Sequence, residues 1–434
     1  MAGNVISEVP RYLCCQCGMC EAVCPHGRIL LIRDKIGNYW PAGPSECNDC
    51  SGLCLSVCPG RTIFTPDKPA DSDSSASYHE LVGQYLKIYV VKASDREIQY
   101  HGSSGGAVTA LLQYLLESGQ TDGAVVTKLD EKSPLEPKTF IATSFKEIRS
   151  AQGSKYLPVP ACRAVRDIWR DREKKNKKYV FVGIPCQING ILHAKKRIPR
   201  LQEQIPFTFS LFCGRNATIQ VTRYALKQHG IELDEVQHIK FRSQGWPGKL
   251  TVMTKDGKAH VMDRKDFFTT WSNGFFNPHR CTTCSDVVGE NADLCFGDPL
   301  LPEMSDNKIG LSLVIAKNEK AVRVIEEARK KKYIDMICEL PVDRLILSQI
   351  GQFKKKKLGI KVVYFLEQLR GRKVPDFKGR LPQQTVESLI YTFFQYLNNN
   401  ISKIPFFFSV YMKIPMRFWD IVSRPFRKNI VKDK

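Results

Sequence analysis

Cys14, Cys17, Cys20 and Cys24 are spaced C-x2-C-x2-C-x3-C and precede Pro25, and Cys47, Cys50, Cys54 and Cys58 repeat the theme as C-x2-C-x3-C-x3-C ahead of Pro59. Two such runs are the ligand pattern of paired 4Fe-4S clusters: three close thiols take three corners of one cluster, and the fourth, before the proline, reaches across to the other. The spacing assigns Cys14, Cys17, Cys20 and Cys58 to one cluster, and Cys47, Cys50, Cys54 and Cys24 to the second. Structural zinc sites also use C-x2-C pairs, but they do not generally supply four close thiols ending in Cys-Pro twice over. The extra residue between Cys50 and Cys54 departs modestly from the simplest spacing. Cys15 is left without a ligand role.

Two further constellations carry chemistry. Gly183-Ile184-Pro185-Cys186 closes the apolar run YVFVG, and Cys213 closes FTFSLF. Both thiols therefore leave strand ends, the edge at which open α/β sheets bind ligands. Cys281 and Cys284, a C-x2-C pair, could complete a third four-thiol set, although buried cysteines also serve as small hydrophobes and spacing leaves both readings open. The second constellation is a pair of small-residue loops. Ser103-Ser104-Gly105-Gly106 opens an apolar helix, whose outward N–H groups suit a phosphate or simply make a turn and cap. Gln152-Gly153-Ser154-Lys155-Tyr156 adds a cation and an aromatic ring, parts suited to an anionic tail and a ring system. His101 and Tyr156 are the proton donors these loops offer.

The elements that must hold these groups read as an α/β core. KIYVV (87–91), GAVVTKL (123–129), YVFVG (179–183) and FTFSLF (207–212) are strand-like. They alternate with helical patterns such as AVTALLQYLLESG (107–119), which implies largely parallel pairing. At 434 residues the chain has room for several domains. Residues 1–65 hold the cysteine runs, 66–80 read as a polar linker, 81–165 and 166–340 as two parts of the core, and 341–434 as a basic, aromatic extension. The N-terminus lacks a secretory pattern, so reduced thiols and a cytoplasmic setting are expected. No apolar run is long enough to span a bilayer.

The net charge of +21 favours acidic partners. Without a nucleic-acid motif, the basic runs at 170–178, 329–332 and 354–357 are expected to be solvated faces, with no nucleic acid as partner. In the tail, Phe406, Phe407, Phe408, Tyr411, Phe418 and Trp419 precede or mix with Arg417, Arg424, Arg427 and Lys428. That pattern suits either peripheral contact with an anionic membrane or aromatics packed back on the core, and prolines 405, 415 and 425 weigh toward the second.

The paired cysteine runs, SSGGAVTALL, QGSKY, GIPCQING, the FCG turn, FRSQGWPG (241–248) and CTTCSDVVGENADLCFGD (281–298) occur in an order that resembles the coenzyme F420 hydrogenase/dehydrogenase beta-subunit family. The resemblance runs from about residue 10 to residue 340. It implies an α/β flavin-binding core (α+β over the whole chain) behind an N-terminal bacterial-ferredoxin-like domain. It also implies FAD near Ser103, Ser104, Gly105, Gly106 and residues 152–156, bordered by Gly183 and Pro185, and a third 4Fe-4S cluster on Cys186, Cys213, Cys281 and Cys284. The expected activity is oxidoreduction linked to coenzyme F420, with ferredoxin or another redox protein as partner. The alternatives are a ferredoxin-dependent reductase of an organic metabolite, similar to 7-hydroxymethyl chlorophyll a reductase, and a non-catalytic electron-transfer subunit.

Overall fold

The computed structural model describes residues 3–47, 50–64, 76–378, 381–415 and 418–419. Its centre is an eight-stranded sheet in the order Ile334–Glu339, Lys87–Ala93, Ser312–Ala316, Leu294–Gly297, Phe207–Leu211, Tyr179–Gly183, Gly123–Leu129, Pro137–Ala142. The two-residue strand period sorts side chains between two cores. Ile88 and Val90, Phe181, and Leu313 and Ile315 face one; Tyr89 and Val91, Val180, and Val314 and Ala316 face the other. The second core is closed by the helices Ala107–Glu117 and Glu319–Lys330, through Leu111, Leu115, Val324 and Ile325.

Pairing is parallel only at the centre, from Leu294–Gly297 through to Gly123–Leu129, and antiparallel on both flanks. The expectation of a largely parallel sheet is corrected accordingly. A parallel return needs a crossover of a dozen or more residues. The segment between Gly123–Leu129 and Pro137–Ala142 is too short for one, and the segment before Ser312–Ala316 holds only the 3-10 turn Pro302–Met304. The strands beginning at Lys87, Gly123, Tyr179, Phe207 and Leu294 all run the same way, so their C-terminal ends share one edge.

The N-terminal segment folds as the short helices Val5–Glu8, Met19–Val23 and Leu53–Ser56 with the hairpin Leu30–Arg33/Tyr39–Ala42. Its buried Val5, Leu13, Met19, Val23 and Val57 belong to the same core as Ile88, Phe181, Ile188 and Ile191. Its last strand, Thr62–Phe64, pairs in parallel with Asp376–Lys378. Most of the expected linker at 66–80 lies outside the described residues, and Ser77–His79 pairs with Gly83–Tyr85.

A third core lies under the antiparallel sheet Val236–Ser243, Lys249–Thr254, Ala259–Met262. The aromatic tail packs there. Tyr411 is buried between Phe275, Phe276 and Trp419, and stacks on Trp419 at 4.5 Å. Phe407 and Phe408 join the same core, while Phe406 and Phe418 face outward. Arg417, Arg424, Arg427 and Lys428 lie outside the described residues. Among the described residues no helix is long and apolar enough to cross a membrane.

The run 354–357 corrects a second expectation. Residues 170–178 and 329–332 are largely exposed, whereas Lys354, Lys355, Lys356 and Lys357 are all buried at the end of the helix Val342–Lys356. Partners inside the fold account for three of them. Lys357 pairs with buried Glu290 at 2.6 Å, Lys354 with Glu387 at 3.3 Å, and Lys356 Nζ donates to the carbonyl of Cys213 at 2.9 Å.

Candidate functional site

The N-terminal thiols are gathered by tight turns. Gly18 and Gly52 precede the helices Met19–Val23 and Leu53–Ser56 with positive φ (87° and 68°), reversing the chain between ligand positions at little cost to glycine. Cys14, Cys17, Cys20 and Cys58 line one small cavity. Burial first, and then Cys17, pushes the Cys58 thiol up to about 12. Burial and the neighbouring thiols likewise hold Cys14 and Cys20 well above the ordinary cysteine value. In the second set, Cys54 faces Cys50 and Cys24. Cys54 also accepts a hydrogen bond from the backbone of Val5, while Cys47 accepts one from the side chain of Asn4 at 3.4 Å, so both meet the start of the first helix. The raised thiols, Cys14, Cys20, Cys54 and Cys58, keep their protons unless a cationic centre displaces them, which is what a metal cluster does.

The core thiols come from separate elements. Cys186 sits in the first turn of the helix Pro185–Arg197, where Pro185 is N1, and Cys213 follows the strand Phe207–Leu211, both at the shared C-terminal edge. Cys281 lies in the short helix His279–Thr282, with Cys284 just beyond it. Cys186 faces Cys213 and Cys284, and Cys213 faces Cys281 and Cys284. Burial pushes Cys213 up to about 12 against the opposing pull of Lys356. The fold thus brings the four sequence-predicted thiols together, and it adds a fifth. The Cys15 thiol is hydrogen-bonded to Cys186 and lies against Arg280, which lower it to about 7 despite its burial.

As placed, no group of three His, Cys, Asp or Glu side chains among the described residues is arranged to hold a single metal ion. A four-iron cluster takes one thiol at each corner, so its ligands ring a volume instead of meeting at a point. The donor chemistry of the core site fits such a group. Its thiols are backed by buried cations, and Arg215 Nε and Nη1 and Arg280 Nε have no hydrogen-bond partner. Cation donors left over in a closed interior suit an anionic occupant.

The two small-residue loops also meet at this edge. Ser154 N donates to Ser103 Oγ at 2.7 Å, and Gln152 Nε2 donates to the Ile98 carbonyl at 2.5 Å. Ser104 Oγ lies 2.9 Å from Ser312 Oγ, which also accepts from the N–H groups of Gly105 and Ala107. A Cβ at Gly105 would stand 2.6 Å from Ser312 N, so close packing requires glycine there. Gly183 is constrained in the same way, since a Cβ would meet the Phe181 ring at 2.7 Å. Gly153, at φ 89°, faces open space. Lys155 turns its ammonium onto the carbonyls of Ala151, Gln152 and Gly153, and burial pulls it down to about 7. Tyr156 packs among Phe241, Phe267, Phe268 and Trp271 with its hydroxyl on Arg242. His101 is half-exposed and pairs with Glu97 at 3.3 Å.

Several groups at the site escaped the sequence reading. Arg242 forms a two-pronged pair with Asp298 at 2.8 and 3.1 Å, and Trp246 Nε1 joins it at 3.0 Å. Arg215 and Arg280 flank the thiol motifs in sequence, as Cys213-Gly214-Arg215 and Arg280-Cys281, a signal that was available. The C-terminal extension roofs the site. Tyr364 donates to the Thr283 carbonyl at 3.1 Å, and Glu367 holds His279 at 2.9 Å and accepts from Tyr396. Cys162 contacts Cys17, and Cys295 is buried in the sheet with its thiol on the Gly289 carbonyl at 3.2 Å.

Comparison with known proteins fits this arrangement. The family model for the N-terminal part of the coenzyme F420 hydrogenase/dehydrogenase beta subunit matches residues 88–166, and that for its C terminus matches residues 176–338. An uncharacterized protein of Methanocaldococcus jannaschii is 27% identical over 377 residues, covering 80% of this chain and 94% of the relative. The coenzyme F420-dependent sulfite reductase of the same organism is 28% identical over 79% of this chain, which spans 50% of that relative. The coenzyme F420 hydrogenase beta subunit of Methanothermobacter thermautotrophicus is 26% identical over 64% of this chain and 94% of its own length. A chain of the F420-reducing [NiFe] hydrogenase complex from Methanosarcina barkeri shares the fold, with a TM-score of 0.53 at 21% identity over 69% of this chain and 99% of that one. With both halves of the core matched in order, the chain belongs to the coenzyme F420 hydrogenase/dehydrogenase beta-subunit family.

Proposed function

We propose that this protein is an iron–sulfur flavoprotein oxidoreductase that moves electrons between thiolate-held 4Fe-4S clusters and FAD, and exchanges a hydride with coenzyme F420 or a similar two-electron carrier. The observation that carries the reading is that Cys186, Cys213, Cys281 and Cys284 gather at the same sheet edge as the 103–106 loop, which bonds the 152–156 loop, with the N-terminal thiols adjoining. The relatives named for F420-linked hydrogenase and sulfite reductase activities supply the carrier.

In this reading residues 1–65 form the ferredoxin-type unit, 81–165 and 166–340 hold the flavin, and the helices Val342–Lys356 and Ile360–Leu369 of the C-terminal extension cover the core thiols. FAD would link one-electron clusters to a two-electron carrier. The chain's own work is to position and to exclude water. Ser103 and Ser154 fix the two loops against each other, Lys155 locks the turn at Gly153, and the aromatic wall around Tyr156 keeps one side dry. Anaerobic purification with iron, sulfide and flavin counts tests the cofactors, and reduced F420 as electron donor tests the carrier. Turnover with photoreduced ferredoxin and none with F420 would move the substrate to an organic metabolite. A flavin that turns over only when another protein is added would make the chain an electron-carrying subunit.

A further inference from the structure

The core thiols differ from the N-terminal ones in the charge around them. Arg215, Arg280 and Lys356 all reach this site, and their exposures are 3%, 5% and 2%. Lys356 Nζ bridges the carbonyls of Cys213 and Asp286. Arg215 donates to the Lys355 carbonyl at 3.3 Å, and Arg280 donates to Thr283 Oγ1 at 3.5 Å and to the Pro59 carbonyl at 3.4 Å. None of the three is ion-paired with a carboxylate among the described residues. Asp286 faces Lys356, but its carboxylate also accepts from the N–H groups of Gly289 and Glu290. Even counting Asp286, fixed positive charge is in excess.

Beside the N-terminal thiols cations weigh less. The groups acting most strongly on Cys14, Cys17 and Cys20 are burial and other thiols, and Arg280 acts on Cys58, where it is the last of the main influences. The second set has Arg170 close by, donating to the Cys24 carbonyl from a partly exposed position.

A cluster on four thiolates gains one negative charge on reduction, and fixed cations in a low-dielectric interior favour the more negative state. We propose that Arg215, Arg280 and Lys356 hold the core cluster at a higher reduction potential than either N-terminal cluster, so that electrons entering through the N-terminal segment collect beside the flavin loops. The inference rests on reading Cys186, Cys213, Cys281 and Cys284 as cluster ligands. Each transfer moves one electron from an N-terminal centre to the core centre, with no bond made or broken. The three cations act as positioning charges, and they give the path a direction.

The test is an anaerobic redox titration of the full-length protein followed by electron paramagnetic resonance, after iron and sulfide are counted. About twelve iron atoms per chain are expected. The signal that disappears in Cys213→Ser should be the first to be reduced as the ambient potential is lowered. Arg215→Gln and Lys356→Met should each cut the reduced-to-oxidised ratio of that signal at least tenfold at fixed ambient potential, about 59 mV for one electron. The N-terminal signals should stay in place, and Arg215→Lys should restore most of the shift. A count of about eight iron atoms would remove the third cluster, and with it both the ligand reading and the inference. Twelve iron atoms with the core signal reduced last, or together with the others, would overturn the potential order while leaving the ligands standing. The order is read on the unaltered protein, and Cys284→Ser assigns the core signal a second time, so a Cys213→Ser variant that fails to fold does not shield the proposal.

Discussion

The N-terminal and core thiol sites use the same donor atom and are built in opposite ways. The first is made by turns within one short segment, whose thiols see mostly one another. The second is assembled from a strand end, a helix start, a loop and a C-terminal helix, and its thiols see arginine and lysine. A local site can be dense in ligands because consecutive residues bring them. A distributed site can also recruit charge, because each element that delivers a thiol passes other elements on the way. Ligand type alone therefore does not fix a centre's properties; the elements packed around it do.

The largest effect should come from removing a ligand on each side. Cys14→Ser and Cys213→Ser should each lose about four iron atoms per chain, and only the second should also loosen the flavin, read as FAD lost on gel filtration. Equal flavin loss in both would erase the distinction between the sites.

The anchoring ion pairs should separate the two regions next. Lys357 and Glu290 are each 2% exposed, so Glu290→Gln strands a buried cation and should cost about 3–5 kcal/mol. This is measurable as a large drop in the midpoint of anaerobic unfolding.

The response to pH should follow the core side. Burial holds Lys155 near 7, against the usual 10.5. Between those values the unfolded chain binds more protons than the folded one, so stability climbs as pH rises through that window. Lys155→Met should flatten the climb in Tm measured from pH about 7.5 to 9.5; an unchanged slope would show that Lys155 stays charged in the fold.

The smallest effect belongs to the N-terminal side, where Arg163 pairs with Glu21 at 3.0 Å from a 44% exposed position. Arg163→Ala should cost about 1 kcal/mol or less. A loss as large as that of Glu290→Gln would mean that the N-terminal segment depends on this contact far more than its exposure implies.

What the sequence disclosed follows the same division. The paired cysteine runs, the helix at residue 107 and the strands at 87, 123, 179 and 207 were legible because each depends on neighbours in the chain. The four core thiols were legible only through the company of their motifs, since nothing in the spacing of Cys186, Cys213 and Cys281 requires them to meet. Cys15 has no cluster by its spacing, and its contact with Cys186 depends on the tertiary fold. The lysines at 354–357 were misread for a different reason. Four charges in a row look solvated, and only tertiary structure supplies the carbonyls and carboxylates that let them be buried.

The pairing of Thr62–Phe64 with Asp376–Lys378 has a consequence for how the protein is made. The cysteine-rich segment leaves the ribosome before the core, and the strand that completes its border emerges roughly three hundred residues later, about 15 to 60 s at common elongation rates. During that interval Cys47 to Cys58 belong to an unfinished unit whose thiols are open to oxidation or to the wrong metal. On the cluster reading proposed above, biogenesis would favour keeping these nascent thiols reduced until the C-terminal strand has closed the seam.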